Sequence, residues 1–190
     1  MKKHVKGIYW YIKRFFDIFF SLILIIITFP IMIIVSLCLF INLGRPLWNQ
    51  RRYREGLNKK KFLMYKFRTK KLDSDDLPRK ERYTRFSYII DKSHLNELPQ
   101  LFNILKGDMS FIGPRPFIPG ETLPNVKINN KRYLVRPGIT GLAYVKGGKY
   151  MAHKNKLKYD TIYYDNFGFM QDLKILLKTP IEVIRQSKDK

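Results

Sequence analysis

The feature that most constrains this chain is an uncharged apolar segment at residues 18–41. At 1.5 Å per residue a helix of this length measures about 36 Å, which is enough to cross a hydrocarbon core of about 30 Å. The segment is too long for the apolar part of a signal peptide, and no small-residue cleavage site follows it. We therefore expect it to remain in the protein as a membrane helix.

Pro30 and the basic flanks bear on how this helix enters the membrane. Pro30 lies near the middle of the run and is expected to kink it. Lys13 and Arg14 precede the run, and Arg45 and Arg51 follow it. Because lysine and arginine favour the cytoplasmic side, both ends are expected there. A straight span satisfies length alone, but the charges favour a re-entrant hairpin at residues 1–43, positioned in the membrane by Lys13, Arg14 and Pro30.

The net charge of +22 in 190 residues indicates an anionic partner. Nucleic acid, anionic lipid headgroups and phosphorylated substrates all carry the required charge. The basic residues are spread along the whole chain and no nucleic-acid-binding module is visible, so we expect no nucleic acid partner. Cys38 is the single cysteine and cannot form an internal disulfide, which fits a reducing compartment.

Beyond residue 43 the pattern predicts one small α/β domain, mixed and rich in helices, at residues 44–190. The last helical segment has an apolar face with lysines between, which fits either core packing or a helix lying at the lipid interface. The predicted elements are a strand at 60–69, a loop at 71–81, a helix at 95–106, irregular loops at 111–120 and 136–148, and helices at 154–166 and 169–186.

Three short segments carry residues suited to phosphate chemistry. Lys66 and Arg68 are two cations at strand spacing, although such a pair also fits a solvated strand edge. Asn96 and Glu97 lie at a helix start, where capping by Asn96 is the simpler explanation. Arg115 stands between two prolines, which make its backbone rigid, and its guanidinium has a shape suited to binding phosphate. Together they suggest a diphosphate site in which a carboxylate holds Mg²⁺. No nucleotide-binding glycine motif and no zinc spacing is present in the sequence.

Several of these segments belong to an ordered series of motifs. They are residues 13–17 (KRFFD), Pro30, residues 50–56, residues 66–69 (KFRT), residues 95–116 (LNELPQLFNILKGDMSFIGPRP), residues 136–143 (RPGITGLA) and residues 172–175 (DLKI). In this order and over nearly the whole chain, they resemble the monotopic phosphoglycosyl transferases, a family of bacterial sugar transferases.

The resemblance implies an activity and a location. Such enzymes move a sugar phosphate from a UDP-sugar to a polyprenyl phosphate, release UMP and initiate surface glycan assembly at the cytoplasmic face of the bacterial inner membrane. An Asp-Glu pair does the chemistry in the family: the Asp attacks the β-phosphoryl group and the Glu helps to hold Mg²⁺. By position, the catalytic pair here is Asn96 and Glu97, with Glu97 as the metal ligand, and the substrate-binding residues are Lys66, Arg68, Arg115, Arg136 and Lys149.

The chain departs from the family pattern at four positions. Asn96 replaces the nucleophilic Asp, Asp91 replaces an Arg, Phe29 replaces a Ser before Pro30, and Gly148 replaces an Arg for which the adjacent Lys149 could substitute. A carboxamide cannot form the acyl phosphate. Three explanations follow: an engineered substitution that traps substrate, a relative that lost catalysis and binds or regulates an active partner, or another nucleophile, with Asp108 the nearest in sequence. A second copy of the chain or an active relative would then be a partner.

Overall fold

The computed structural model describes residues 7–49, 53–74, 76–78, 81–120, 130–148 and 151–188. A long N-terminal helix is followed by short strands and helices, with 3₁₀ turns at Leu57–Lys59, Leu95–Glu97 and Asn130–Leu134. In chain order the elements are α1 (Ile8–Leu43), β1 (Tyr53–Glu55), β2 (Lys61–Leu63), α2 (Arg85–Lys92), α3 (Gln100–Lys106), β3 (Ser110–Ile112), β4 (Gly138–Thr140), α4 (Leu142–Gly147), α5 (His153–Asp165) and α6 (Phe169–Lys188). The mixed, helix-rich domain predicted from the sequence is confirmed.

Helix α1 is long and apolar enough to cross a membrane. It continues through Pro30 as one helix, so the two arms of a hairpin are not separate elements, and the hairpin stays a prediction. Most of its large apolar side chains are exposed, and lipid is the solvent that such a surface requires. Its buried residues recur at helical spacing along one face: Asp17, Ser21, Ile25, Met32, Val35 and Leu39.

Both halves of α1 pack on the same domain. Ile25, before the proline, contacts a core cluster that contains Leu101 and Ile104 of α3. After the proline, α1 packs into a second cluster around Phe67 and Ile90, to which it contributes Met32, Val35 and Leu39. Phe102 of α3 packs against both clusters, which makes α3 the element that joins the two halves.

Charged side chains fasten the two ends of α1 to this domain. Arg14 donates to the carbonyls of Ile104 and Leu105, at 2.6 and 2.7 Å, and so caps the C-terminus of α3. At the other end, Arg68 Nη2 donates to the carbonyls of Leu43 and Gly44, at 2.8 and 2.9 Å. These hydrogen bonds hold α1 by both its ends.

In the part of the chain that the structure describes, the strands form two small sheets. Strands β1 and β2 pair antiparallel, with Arg54 opposite Phe62. Strands β3 and β4 pair parallel, with Ile112 opposite Thr140. Beyond this pair the backbones come so close that a Cβ on Gly138 would lie 2.1 Å from the Gly113 nitrogen, so this approach requires glycine. The contact fixes the loop that follows β3.

Helix α6 both packs into the core and exposes an apolar surface. Ile175 is buried in a cluster with Val135 and Tyr163, whereas Leu177 and Ile181 are largely exposed. Both interpretations of its apolar residues, core packing and an exposed face suited to lipid, therefore have support on different faces of one helix. Its position at a lipid interface stays a prediction.

The Asp172 carboxylate joins α6 to α5 and α1. It accepts hydrogen bonds from the hydroxyls of Tyr9 and Tyr163, at 2.6 and 2.8 Å. The ammonium of Lys13 lies 2.5 Å from the same carboxylate. The residue 172–175 motif thus contributes a buried anchor for the start of α1, and Lys13 of the predicted membrane-positioning set is part of it.

Candidate functional site

Glu97 and Lys66 form an ion pair at the end of the Leu95–Glu97 turn. Lys66 Nζ lies 2.7 Å from Glu97 Oε1, and His94 Nδ1 lies 3.8 Å from the same oxygen. The second carboxylate oxygen accepts a hydrogen bond from Gln100 at 3.2 Å. Burial raises the pKa of Glu97, but His94 and the Lys66 ammonium lower it by more, so the pKa lies well below its usual range. Glu97 is therefore an ionised carboxylate at neutral pH.

Asn96 is fully buried and its amide is bound to Asp91. Asn96 Nδ2 donates to Asp91 Oδ1 at 2.9 Å, and the Thr69 hydroxyl donates to the same oxygen at 2.9 Å. The Asn96 carbonyl on the main chain accepts from Phe67 N at 3.0 Å. Its side chain makes no capping bond, so the capping role considered from the sequence is wrong. The two departures from the family pattern at 91 and 96 are partners in one hydrogen bond.

Arg115 lines a cleft with a volume of about 340 Å³. Within the described residues its side chain has no hydrogen bond or ion pair, so its charge is available to a ligand. The backbone of Gly138 and Gly141 and the ring of Tyr144 form other parts of the wall. The other polar residues of the lining, within the described part of the chain, are the cations Arg54, Arg132 and Lys156, the acid Asp160, and His153 and Thr140.

A buried ion pair, which sequence reasoning missed, lies behind Arg115. Arg132 and Asp160 are both almost inaccessible, with Arg132 Nη1 3.3 Å from Asp160 Oδ2. Arg132 Nη2 also donates to the main-chain carbonyl of Arg115, and its guanidinium lies 3.4 Å from the centre of the Phe117 ring. Burial raises the pKa of Asp160 to about 6, although the charges of Arg132 and Lys156 oppose the rise.

Tyr144 lines the cleft, and its pKa responds to the charges of both Glu97 and Arg115. Burial raises the pKa of Tyr144, the negative charges of Glu182 and Glu97 raise it further, and the charge of Arg115 lowers it. Charges act on a titrating group in this way only at short range, because solvent and salt screen them. The charges of Glu97 and Arg115 therefore both act on Tyr144, which lines the cleft, whereas Lys66 is placed by its ion pair with Glu97.

Other predicted site residues lie elsewhere. Arg68 is buried and donates to main-chain carbonyls at the end of α1. It also donates to the carbonyl of Pro46, in the loop after α1, at 2.7 Å and to that of Lys70, two residues further along the chain than Arg68 itself, at 2.9 Å. Arg136 donates to the Gly107 carbonyl at 3.0 Å and lies 4.8 Å from the Trp10 ring. Both arginines hold backbone in place, so their contacts give no support to substrate binding.

Two further candidates complete the set. Lys149 lies outside the described residues. Asp108, the alternative nucleophile, lies 3.8 Å from the Lys106 ammonium and accepts a weak 3.4 Å hydrogen bond from Asn103. These contacts place Asp108 beside the end of α3, with no contact to Glu97 or Lys66 among the described residues.

The donor set fits Mg²⁺ only together with a phosphorylated ligand. No group of three His, Cys, Asp or Glu side chains converges within the described ranges. Mg²⁺ commonly takes one or two carboxylates and fills its other positions with water and substrate phosphate oxygens. Glu97 supplies one carboxylate, and the adjoining Asn96 has a buried side-chain oxygen without a hydrogen-bond partner among the described residues.

Comparisons with known proteins identify relatives along nearly the whole chain. The family described as "Bacterial sugar transferase" matches residues 8–186. The chain is 36% identical to the uncharacterized sugar transferase EpsL of Bacillus subtilis (strain 168) over 177 residues, which cover 91% of this chain and 87% of that protein. It is 31% identical to the exopolysaccharide production protein PSS of Rhizobium leguminosarum bv. phaseoli, covering 93% of this chain and 97% of that protein.

A longer relative carries a more specific name. The chain is 32% identical to the undecaprenyl-phosphate galactose phosphotransferase of Salmonella typhimurium (strain LT2), covering 93% of this chain but 41% of that protein. The chain therefore corresponds to about two fifths of the longer enzyme. The family predicted from the ordered motifs is confirmed.

Proposed function

The chain belongs to the bacterial sugar transferase family, and from this premise we propose that it transfers a sugar phosphate from a UDP-sugar to a polyprenyl phosphate and releases UMP. The names of the relatives support a polyprenyl-phosphate acceptor and a sugar-phosphate donor. The observation that carries the proposal is a cleft lined by Arg115 and Tyr144, together with a Glu97–Lys66 ion pair whose carboxylate charge acts on Tyr144.

In this proposal the cleft binds the donor and the ion pair lies at the reacting phosphate. Arg115 offers a guanidinium that suits two phosphate oxygens at once. Lys66 adds a compact positive charge, and Glu97, ionised at neutral pH, would hold Mg²⁺ with the diphosphate. The metal would neutralise charge on the diphosphate, and so favour departure of UMP.

We further propose that the protein sits on the cytoplasmic face of a bacterial inner membrane, with both ends of α1 on that face. Support comes from Arg14 and Arg68, which tie the two ends of α1 to one domain. That domain carries most of the charge of a +22 protein and belongs in water. A helix held in this way enters the bilayer and returns, in a topology that bends at Pro30.

A second candidate function follows from the Asn96 side chain. It is buried, cannot ionise and is held by Asp91, so no nucleophilic carboxylate stands at this position. In this alternative the chain binds the donor or an active partner without turning the donor over. The two candidates differ in one measurable property, which is release of UMP.

The experiment uses the full chain in nanodiscs with undecaprenyl phosphate, Mg²⁺ and a panel of UDP-sugars. We expect the wild type to release UMP with one donor and Glu97→Gln to lose that release. Asp165→Asn is the control, because it removes an acid from an exposed ion pair with Lys131 at the surface. Donor binding without UMP release would support the second candidate, and absence of both would overturn the donor site.

A further inference from the structure

Arg132 contacts the Pro-Arg-Pro loop at two points and α5 at a third. One arm of its guanidinium donates to the Arg115 carbonyl, and its flat face stacks on the Phe117 ring. The other arm is paired with Asp160 of α5. Backbone hydrogen bonds hold the start of this loop at Gly113 and Pro114, and Arg132 adds side-chain contacts further along it, at Arg115 and Phe117.

The ion pair with Asp160 also compensates the positive charge of Arg132, which lies against the main chain of Arg115. A buried guanidinium is unfavourable unless a carboxylate compensates it. Asp160 is the acid that lies against Arg132, and Lys156 is the other charged group whose field acts on Asp160. Arg54, Arg115 and His153 line the same cleft. Asp160 therefore offsets the charge of Arg132, while Arg54, Arg115 and Lys156 supply positive charge to the cleft.

We propose that Arg132 and Asp160 are a positioning pair that holds the Arg115 loop in the shape that binds the donor diphosphate. The inference rests on the proposed donor site. Neither residue needs to touch the reacting atoms, so both act through Arg115. The role requires the planar fork of arginine, since a lysine ammonium cannot bond the carbonyl and the carboxylate through separate arms and also stack on Phe117.

The test compares the binding of UDP and of uridine, with Mg²⁺ present, to the full chain in nanodiscs. The loss of one charge-assisted hydrogen bond corresponds to about a tenfold change in affinity. We expect Arg132→Lys to weaken UDP binding about tenfold and to leave uridine binding within about twofold of the wild type. Lys131→Gln is the matched control, since Lys131 lies in the same turn and pairs with Asp165 on the same helix, but at the surface.

A second variant keeps the test informative if Arg132→Lys does not fold. Asp160→Asn preserves the side-chain shape, and we expect the same selective loss of UDP affinity. In the double variant Arg132→Lys with Asp160→Asn we expect no larger loss, because both changes break the same ion pair. UDP affinity equal to wild type in a folded variant, or equal losses for UDP and uridine, would overturn the positioning role. Failure of the wild type itself to bind UDP would instead overturn the donor site on which the inference rests.

Discussion

The substitution Asn96→Asp would restore the carboxylate expected in the family, yet the structure predicts that on its own it is poorly active at pH 6. The Asn96 amide donates to Asp91 at 2.9 Å in a fully buried position. An aspartate there would exchange this donor for a second acceptor and bring two carboxylates into contact. Such a pair retains one proton between them, because both cannot ionise at that distance.

The size of the effect follows from Coulomb's law. Two unit charges about 4 Å apart, at an effective dielectric constant of about 20, repel by about 4 kcal/mol, which displaces the second ionisation by about three pH units. An ordinary aspartate ionises near pH 4, so the pair loses its second proton near pH 7 and burial delays the loss further. The nucleophilic form of the single variant is therefore a minor species at pH 6 and grows about tenfold per pH unit.

The double variant Asn96→Asp with Asp91→Asn removes the repulsion and keeps a hydrogen bond between the two side chains. In nanodiscs with undecaprenyl phosphate, Mg²⁺ and a UDP-sugar, we expect its UMP release at pH 6 to exceed that of the single variant at least about tenfold, with the gap closing by pH 8. Asp91→Asn alone is the control for the lost acid. Equal rates of the single and double variants at pH 6 would refute the reasoning.

Three further predictions concern individual side chains. Arg115→Ala is expected to weaken UDP binding by about 10- to 100-fold, measured by calorimetry, because one charge-assisted contact is lost; unchanged binding would exclude Arg115 from the donor site. The pKa of Asp160 is raised to about 6. Its contribution to the free energy of unfolding, about 3 kcal/mol, is therefore complete below about pH 4 and is lost as the pH rises through 6. Asp160→Asn should flatten that part of the melting-temperature profile between pH 4 and 7, and a slope equal to wild type would contradict this. Arg68→Ala is expected to destabilise the folded chain by on the order of 3 kcal/mol, measured by thermal unfolding, since four main-chain carbonyls lose the donors of one buried guanidinium; a melting temperature within a degree of wild type would contradict the structural role.

The long elements were predictable from the sequence and the short ones were not. The apolar run predicted α1, and the apolar spacing predicted one helix at 95–106, which the structure divides into the Leu95–Glu97 turn and α3. The region 136–148 looked like a loop because it is rich in glycine. It contains β4 and α4, and the close approach of Gly138 to Gly113 that pairs β4 with β3 involves a distant part of the chain. Such tertiary contacts leave no local pattern.

Strand spacing gave the wrong expectation for Arg68. The prediction placed Lys66 and Arg68 on one face of a strand through residues 60–69, but β2 ends at Leu63. Beyond it the two side chains diverge: Lys66 meets Glu97, and Arg68 turns to the carbonyls at the end of α1. The alternation of faces holds only while the backbone stays extended in a sheet.

Side-chain partners that no local spacing rule specifies were the second limit. Asp91 and Asn96 each departed from the family pattern, but only the fold shows that they bond to each other. Arg132 stands in a basic segment and Asp160 in a helix with weak periodicity, so neither attracted notice. Their pairing depends on how the Asn130–Leu134 turn packs against α5, which no spacing rule within either segment specifies.

The connection between α1 and β3 explains how a phosphate carried by a lipid would reach the proposed donor site. Asp17 begins the apolar face of α1 and is buried, because it accepts hydrogen bonds from the Ser110 hydroxyl and from Phe111 N, at 3.0 and 3.2 Å. A carboxylate in hydrocarbon is costly, so protein rather than lipid must cover this point of the helix. The chain runs from Ser110 directly into the Arg115 loop, and five residues of extended chain span at most about 18 Å. The backbone of Arg115, the residue proposed to hold the donor, therefore lies within one short segment of the point where protein covers α1, and substitutions that free α1 from Ser110 should impair use of the lipid acceptor more than binding of UDP.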